Sequence, residues 1–375
     1  MKQRITTVAW IGTGIMGAPM AHHLLRAGYH LIVHSRTKQK AQALIQAGAQ
    51  WAEDVACAVR HADAVCTMLG YPQDVEDVYL TQTGILQNVA KDTWIIDFTT
   101  SSPLLAQEIH QAAALKHCVA FDCPVTGGET GAKTAHLTAL IGAREQDILP
   151  VVPLISAFAS KRFYFNEAGK AQVAKLCNQV SLASCMVGYA DALALAKQSG
   201  LDTAQVIDMI SSGMGSSRAL CELAPKSCDG DYKPGFMVAH MKKDLSLALE
   251  HAQEVEVSLP GADTAYNLYD MLCDIGGKRL GTQAISLLYE DEAQGVAAGL
   301  DWSAYQKDSY IDNEQESPSS DQSSVDTHEP KSCAQDQDAR GRGAASSHRS
   351  GQEESSDSSD DAHSDMQGLL DNWMK

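Results

Sequence analysis

The sequence predicts an α/β protein: a doubly wound parallel sheet, then an all-helical domain built on one long helix, then a disordered tail. Short apolar strands alternate with helical segments through the first half of the chain. Strand signals stop after about Phe165, and a helical run without proline begins at Gly169. Past about Glu292 the composition turns to Ser, Asp, Glu, Gln and Gly. We therefore expect domains at residues 1–166 and 167–292 and a tail at 293–375.

The first domain is expected to form a parallel sheet from short runs rich in apolar and β-branched residues. These runs are Thr7–Ile11, His30–His34, Ala64–Leu69, Trp94–Phe98, Val119–Asp122 and Leu137–Gly142. Helices are expected in the intervals, for example from Ile15 to Ala27, where Gly28 stands at a C-cap position.

Three glycines, Gly12, Gly14 and Gly17, stand at G-x-G-x-x-G spacing directly behind the first strand. In a dinucleotide-binding unit the first allows a tight turn, the second lets the backbone approach a pyrophosphate, and the third lets helix and sheet pack closely. The helix N-terminus attracts phosphates, and Ile15 and Met16 belong to the same turn. The spacing also arises by chance, but its strand and helix context favours a Rossmann-type domain.

The second domain is expected to be all-helical. One helix should run from Gly169 to Ser199, with Gly200 at its end. Shorter helices are expected at Thr203–Ser211, Lys243–Val255, Thr264–Ile275 and Thr282–Glu290. The long helix and the apolar helical domain favour a homodimer or homotetramer.

Negative charge is concentrated at the end of the chain. Residues 301–375 hold 17 of the 47 acidic residues and 6 of the 29 basic ones, in a chain of net charge -18. The folded part is therefore only mildly acidic, which argues against a nucleic-acid partner. The tail is too polar to offset its ordering entropy, although the apolar side chains within 366–375 form a candidate docking segment for a protein.

The ten cysteines show no C-x-x-C pair and no clustered ligand spacing, so we expect free thiols and no metal site. No apolar stretch is expected to reach the length of about 18 residues that a membrane span needs. These observations predict a cytoplasmic protein that does not enter a membrane.

The end of the second predicted strand, Val33-His-Ser-Arg-Thr37, carries no acidic residue. NAD-specific domains usually place Asp or Glu there to bond the ribose hydroxyls. Arg36 can instead pair with the 2′-phosphate of NADP, assisted by Ser35 and Thr37. The sequence therefore favours NADP over NAD; the alternatives are that Arg36 is solvated or stacks on the adenine of either cofactor.

Several blocks between about residues 5 and 290 together resemble the 3-hydroxyisobutyrate dehydrogenase family of β-hydroxyacid dehydrogenases. The blocks are the glycine motif continued to Met20, Arg36-Thr37, Met68–Pro72, Asp97–Thr100, Asp122–Gly128, Gly169–Asn178 and Lys242–Ala248. Their order along the chain makes the resemblance far more specific than the glycine motif alone.

The resemblance implies that Lys175 is the catalytic acid or base and that Asn178 anchors the substrate. The two residues are three apart, so they share one face of the long helix. Without the resemblance they would be read as a surface lysine and an ordinary amide. In the loop after the Val119–Asp122 strand, Thr126, Gly127 and Gly128 present a hydroxyl and N–H groups suited to a carboxylate, or form merely a tight turn.

The remaining expected cofactor contacts lie in loops and at a helix start. The resemblance places Lys243 near the nicotinamide, where its charge would lower the pKa of Lys175, and Phe236 precedes it; the alternative is a solvated Lys243, with Asp244 supporting the helix N-terminus. Leu69, Pro72 and Thr99 follow predicted strands, at the edge where doubly wound sheets bind ligands.

The predicted function is hydride transfer between NADP or NAD and a small 3-hydroxy acid or its semialdehyde, with no metal. By resemblance the candidate substrates are 3-hydroxyisobutyrate, tartronate semialdehyde, succinic semialdehyde and glyoxylate. An imine reductase is the nearest rival enzyme, but that group commonly lacks the lysine found at Lys175. The rival from another class is a catalytically silent cofactor-binding scaffold whose acidic tail mediates protein interactions.

Overall fold

The computed structural model describes residues 4–303, so the docking segment expected at 366–375 lies outside the described residues. Within that range the strands are β1 (Thr7–Ile11), β2 (His30–His34), β3 (Gln50–Trp51), β4 (Ala64–Thr67), β5 (Trp94–Asp97), β6 (Val119–Asp122), β7 (Val125–Thr126), β8 (Leu137–Ile141) and β9 (Ala159–Tyr164). The helices of the first half are α1 (Gly17–Arg26), α2 (Gln42–Gln46), α3 (Val55–Val59), α4 (Pro72–Leu80), α5 (Ile85–Asn88), α6 (Pro103–Leu115), α7 (Gly128–Thr134) and α8 (Val152–Ser156). Those of the second half are α9 (Lys170–Gln198), α10 (Thr203–Ser211), α11 (Arg218–Cys228), α12 (Val238–Glu254), α13 (Pro260–Asp274) and α14 (Glu292–Ala297).

Six strands form one parallel sheet in the order β3-β2-β1-β4-β5-β6, with helices between them in sequence. The central strands are mostly apolar, with polar residues only at their ends, because both faces of a parallel sheet are covered. Val8, Ala9 and Trp10 of β1 are fully buried. The predicted doubly wound parallel sheet is therefore confirmed, and its strand order reverses beside β1.

The sixth predicted strand, Leu137–Gly142, does not join this sheet. Its residues form β8, which pairs antiparallel with β7 and parallel with β9 in a separate three-stranded sheet. The two-residue strand β3 takes the sixth place in the main sheet instead. Apolar alternation shows that a segment is a strand but not which partner it pairs with, because pairing is a long-range property.

The turn after β1 is so tight that two of its glycines admit no side chain. Gly12 has a φ of +100°, and a Cβ there would lie 2.2 Å from the Met68 carbonyl oxygen. A Cβ on Gly17 would lie 2.1 Å from the Gly12 carbonyl oxygen, which already accepts a 2.9 Å hydrogen bond from the Trp10 indole. The third glycine, Gly14, has no atom within 4 Å of its would-be Cβ. The turn therefore needs Gly12 and Gly17 for packing, and Gly14 leaves open space above the backbone.

The second half is helical, as predicted, and α9 is its central element. Helices α10 to α13 and the 3-10 helix Thr282–Tyr289 pack on α9 around a core that includes Met186, Tyr189 and Tyr269. The last predicted α-helix, Thr282–Glu290, is thus a 3-10 helix. The helix expected at Lys243–Val255 begins earlier, at Val238, so Lys243 lies inside α12 rather than at its start.

The length and hydropathy of α9 would suffice for a membrane span, contrary to the expectation that no segment reaches that length. Its most apolar stretch has a mean hydropathy of 1.3. Core helices of folded domains meet the same criterion, and α9 has buried residues from Ala171 to Ala196. One such helix is weak support for a membrane location.

The tail was expected to begin at residue 293, but ordered packing continues to residue 303. Helix α14 spans Glu292–Ala297, Leu300 is buried, and Trp302 packs against the helical core. A Cβ on Gly295 would lie 2.7 Å from the Trp302 indole nitrogen, so this segment folds back closely on itself. Residues 304–375 of the expected tail lie outside the described part of the chain.

We expect Gly17→Ala to destabilise the protein by about 1–3 kcal/mol, because the added methyl must displace the Gly12 carbonyl or the Trp10 ring. Thermal unfolding followed by circular dichroism measures the change. Gly14→Ala is the matched control: no atom lies within 4 Å of its added methyl, so its Tm should stay within about 1 °C of the wild type. Equal stability of the two variants would contradict the close approach at Gly17.

Candidate active site

A cleft of about 810 Å³ opens at the carboxyl edge of the six-stranded sheet. The edge beside β1, where the strand order reverses, is where doubly wound sheets bind ligands. Residues of α9 and α12 close the cleft from the helical side. The expected site residues that line it are Gly12, Gly14, Ile15, Met16, Gly17, Ser35, Arg36, Thr37, Leu69, Thr126, Gly127, Gly128, Lys175, Phe236 and Lys243.

Three expected site residues are not part of the cleft lining. Pro72 is the first residue of α4. Thr99 is buried, and its hydroxyl accepts a 2.9 Å hydrogen bond from the Leu69 N–H, so it shapes the loop that does line the cleft. Asn178 donates a 2.9 Å hydrogen bond from Nδ2 to Gln179 Oε1.

The first turn of α9 is fastened to the sheet by a buried carboxylate. Asp122, the last residue of β6, accepts hydrogen bonds from the N–H groups of Gly169 at 2.8 Å and Gln172 at 2.9 Å. These are N–H groups at the start of α9, which have no partner inside the helix. A Cβ on Gly142 would lie 2.0 Å from Asp122 Oδ1, so a glycine is needed there to admit the carboxylate.

The Gln172 side chain adds a second attachment between α9 and the sheet. Its Nε2 donates to the Thr99 carbonyl at 2.8 Å, and its Oε1 accepts from the Ser101 N–H at 3.0 Å. Gln172 is fully buried, so each of these groups would otherwise be left unsatisfied. Together Asp122 and Gln172 hold the helix start rigidly beside the loop after β5.

Lys175 lies one turn further along α9 and faces the cleft. Its side chain is only 7% exposed. Burial lowers the pKa of Lys175 from 10.5 to about 8, because a charged amine is poorly solvated there. The Asp244 carboxylate raises this pKa and the Lys243 ammonium lowers it, as expected for Lys243 from the sequence. Lys175 can therefore take up and release a proton near neutral pH.

A chain of polar contacts links α9 to α12 behind Lys175. The Lys243 ammonium lies 2.8 Å from Asp244 Oδ1 and donates at 2.5 Å to the Thr100 carbonyl. Asp244 Oδ2 accepts a 2.6 Å hydrogen bond from Gln179 Nε2. Asp244 is buried within α12 and does not support a helix N-terminus, which corrects the ordinary interpretation of that residue.

The carboxylate cradle expected at Thr126–Gly128 lies on the same cleft. Both glycines have positive φ, +127° at Gly127 and +62° at Gly128, a region where residues with a side chain are strained. Thr126 pairs with Thr138 across β7 and β8, which fixes the start of the turn. The two glycines, which directly follow strand β7, therefore line the cleft with backbone atoms.

Sequence reasoning missed other residues of the lining. They include Tyr71, Asp74, Thr100, Gln179 and His240. Each except Asp74 and His240 is adjacent in sequence to a residue that was singled out, which was the available signal. The His240 ring lies between Tyr71 and Phe236, with ring centroids 5.7 and 6.2 Å away. Burial lowers the pKa of His240, with a further contribution from Lys243.

In residues 4–303 no group of three or more His, Cys, Asp or Glu side chains is placed to hold a metal ion.

Comparisons with known proteins give the class first. The NAD binding domain of 6-phosphogluconate dehydrogenase matches residues 7–166, and the NAD-binding domain of NADP-dependent 3-hydroxyisobutyrate dehydrogenase matches residues 169–289. A fold of this type with this cleft defines a nicotinamide-dependent dehydrogenase.

Relatives that align with more than two thirds of the chain then give the family. The chain is 36% identical over 304 residues to an NAD-dependent L-serine dehydrogenase of Pseudomonas aeruginosa, covering 79% of this chain and 100% of the relative. It is 34% identical over 274 residues to a 3-hydroxyisobutyrate dehydrogenase of the same organism, covering 71% and 92%. The solved structure of Mycobacterium tuberculosis 3-hydroxyisobutyrate dehydrogenase with L-serine is similar at a TM-score of 0.70 and 29% identity, covering 76% of this chain and 100% of that one. The chain belongs to the 3-hydroxyisobutyrate dehydrogenase family.

The residues of the cleft fit a nicotinamide dinucleotide. The open space over Gly14 lets a pyrophosphate reach the backbone at the start of α1. Arg36 and Lys40 stand with Asp74 and Asp77 at the far end of the cleft, and Lys175 and Lys243 line the other end. Family membership together with this fit supports an NAD(P)-dependent hydroxyacid dehydrogenase activity.

We expect Asp122→Asn to destabilise the protein by about 1–3 kcal/mol, because an amide has one acceptor oxygen for two buried N–H groups. Urea unfolding followed by tryptophan fluorescence measures the loss. Asp147→Asn is the matched control: that carboxylate is 44% exposed and pairs with Arg144 at the surface, so its loss should cost at most about 1 kcal/mol. Equal losses would contradict the fastening role of Asp122.

Proposed function

We propose that this chain oxidises small 3-hydroxy acids to their semialdehydes, and reduces the semialdehydes in the reverse direction, with Lys175 as the acid and base. The observation that carries the proposal is a buried lysine with a pKa of about 8 on the same cleft as the glycine turn and the Thr126–Gly128 cradle. A lysine whose pKa is near the working pH is suited to proton transfer in both directions.

When bound, the nicotinamide cofactor would accept the hydride in oxidation and donate it in reduction, and the protein handles the proton. In oxidation the neutral amine of Lys175 takes the proton of the substrate hydroxyl while a hydride leaves the carbon that carries this hydroxyl. A semialdehyde and a lysine ammonium result. In reduction the ammonium gives the proton back to the carbonyl oxygen. The positive charge also stabilises negative charge that develops on that oxygen.

The cradle and the amides hold the substrate acid group in this proposal. Backbone N–H groups at Gly127 and Gly128 and the Thr126 hydroxyl would bind the carboxylate, as in other anion-binding turns. Asn178 lies outside the cleft lining and donates to Gln179, which is part of it, so its proposed contribution is to orient the Gln179 amide at the cleft. The side-chain methyl of Thr126 narrows the cradle relative to a serine and favours a small substrate.

The relatives support 3-hydroxy acids as the substrate class and leave both NADP and NAD as candidate cofactors. The names of the matched proteins include 3-hydroxyisobutyrate and L-serine, and both compounds are 3-hydroxy acids. One matched family domain is described as NADP-dependent and one relative as NAD-dependent. We favour NADP because no acidic residue stands at the end of β2 and Arg36 lines the cleft just beyond it. NAD is the alternative, and the Asp74 carboxylate 2.8 Å from Arg36 favours it.

The rival scaffold function has no support. It assigns the working role to an acidic tail that lies outside the described residues. We also propose a reducing cytoplasmic location, in keeping with free thiols at all nine cysteines of the described range. A homo-oligomer is supported by exposed apolar side chains on the helical part, such as Leu195, Leu201 and Met209.

A substrate panel tests the proposal directly. The full chain is assayed by the absorbance of the reduced nicotinamide, with NADP and NAD against 3-hydroxyisobutyrate and L-serine. The reduced cofactors are assayed against tartronate semialdehyde, succinic semialdehyde and glyoxylate. We expect turnover of at least one small 3-hydroxy acid or semialdehyde. Absence of turnover with every member would refute the proposed reaction.

We expect Lys175→Ala to lower kcat by about 10²–10⁴-fold, because the proton-transfer group is lost. Cofactor binding, measured by fluorescence titration, should change little. A variant that keeps most of its rate would show that another group moves the proton.

The pH dependence gives an independent test of Lys175. Oxidation needs the neutral amine, so its kcat/KM should rise as pH increases through about 8, where Lys175 titrates in the structure. Reduction needs the ammonium and should fall over the same range. Lys243→Met should move the midpoint to higher pH, because the charge that lowers the Lys175 pKa is removed.

Lys242→Met is the matched control for the pH profile. It removes the same charge one position away, but the Lys242 ammonium contacts Asp270 and faces the Tyr266 ring at 5.9 Å. Its midpoint should equal that of the wild type. A profile that is flat between pH 7 and 9, or that shifts equally in both variants, would exclude the assigned titration.

A further inference from the structure

The end of the cleft beside β2, where the adenosine of a bound cofactor would lie, contains an ion pair. The sequence at the end of β2 alone does not reveal this pair. Arg36 Nη1 lies 2.8 Å from Asp74 Oδ1, and Asp74 belongs to the first turn of α4, 38 residues further along the chain. Both residues line the cleft. The acidic residue that is missing at the end of β2 is thus supplied from another element.

The two partners differ in how firmly they are held. The Arg36 side chain is 84% exposed and the Asp74 side chain only 20%. Asp74 Oδ2 is buried and has no hydrogen-bond partner in the described range, and a Cβ on Gly70 would lie 3.1 Å from it. The carboxylate is therefore packed against the loop after β4, whereas the guanidinium projects into solvent and is free to change partners.

Charges at this end of the cleft are balanced. The charged residues that line it are Arg36 and Lys40 against Asp74 and Asp77. Lys38 is directed elsewhere, because its ammonium lies 3.4 Å from Glu53 and 5.1 Å from the Trp51 ring centroid. A 2′-phosphate carries a charge of about −1.5 to −2, so it meets no excess of positive charge here.

We propose that Asp74 sets the selectivity between NAD and NADP: its carboxylate competes with the 2′-phosphate of NADP for the Arg36 guanidinium and so holds down the affinity for NADP. A phosphate binds arginine through two parallel hydrogen bonds and displaces a partly exposed carboxylate from it. The Asp74 carboxylate still lines this end of the cleft once the pair is broken, so its charge then opposes the phosphate. With a 2′-hydroxyl in place of the phosphate, the Arg36–Asp74 pair stays intact.

The proposal rests on the nicotinamide cofactor of the proposed function, and its test needs no hydroxy acid. Dissociation constants of the full chain are measured by calorimetry for adenosine 2′,5′-bisphosphate and for 5′-AMP. In Asp74→Asn the bisphosphate should bind about three- to tenfold more tightly, whereas 5′-AMP should stay within about twofold. Asp74→Ser provides the same charge change should Asp74→Asn fail to fold.

Two further variants separate competition for Arg36 from a general charge effect. Asp77→Asn removes the same charge from the same end of the cleft, but Asp77 Oδ1 accepts from Gln73 Nε2 at 3.1 Å. It should change the bisphosphate constant by less than about twofold. In an Arg36→Met background, Asp74→Asn should lose most of its effect, because the two residues are coupled.

The outcomes are distinct. Tighter bisphosphate binding in Asp74→Asn alone, lost in the Arg36→Met background, supports the proposal. An equal gain in Asp77→Asn, an equal change for both nucleotides, or no change would overturn it. Failure of the hydroxy acid panel would leave these binding constants unaffected and would bear on the proposed reaction only, whereas absence of any nucleotide binding by the wild type would overturn both proposals.

Discussion

The position of the candidate active site depends on the Asp122 carboxylate at the end of β6. This carboxylate accepts hydrogen bonds from two N–H groups at the start of α9. Because α9 is fixed at its first turn, this attachment also determines the position of Lys175, which lies one turn later on the helix. Gly169 makes the close approach feasible: its φ is +83°, and a Cβ there would lie 2.6 Å from the Pro103 carbonyl oxygen. The sheet that shapes the cofactor turn and the helix that carries the amine are therefore one rigid unit at the point where they must cooperate.

A second buried carboxylate, Asp244, explains how the protein tolerates a buried amine. Taking a lysine ammonium out of water is costly unless a partner compensates it. Asp244 supplies that partner from α12, and Gln179 of α9 holds Asp244 by a 2.6 Å hydrogen bond. Lys243 occupies the other oxygen of the same carboxylate, so Asp244 only partly offsets the effect of burial. The result is an amine whose pKa stays near 8, well suited to exchange a proton at neutral pH.

Much of the fold was predictable because its signals are local. Apolar runs of four to six residues marked β1, β2 and β6 with the same bounds that the structure shows, since strands buried on both faces have a continuous apolar sequence. Strand pairing was not predictable: Leu137–Ile141 has the pattern of the other strands yet lies in a second sheet. Strand β3, of only two residues, is too short to leave a pattern. The segment from α14 to Leu300 was not predictable as part of the fold, because its polar composition does not indicate that Leu300 is buried. That burial comes from packing on the helical core.

For the site, the sequence by itself determined the chemical types and the tight turn. Gly12 and Gly17 are required by backbone contacts closer than any side chain allows, and the family blocks that include Lys175 stand in order along the chain. Only the tertiary structure decided which charges meet. Asp74 reaches Arg36 across 38 positions of sequence, and Asp244 reaches Gln179 across 65. Electrostatic and hydrogen-bond energies depend on distance in space and on burial, and neither quantity is written in the spacing of residues along the chain.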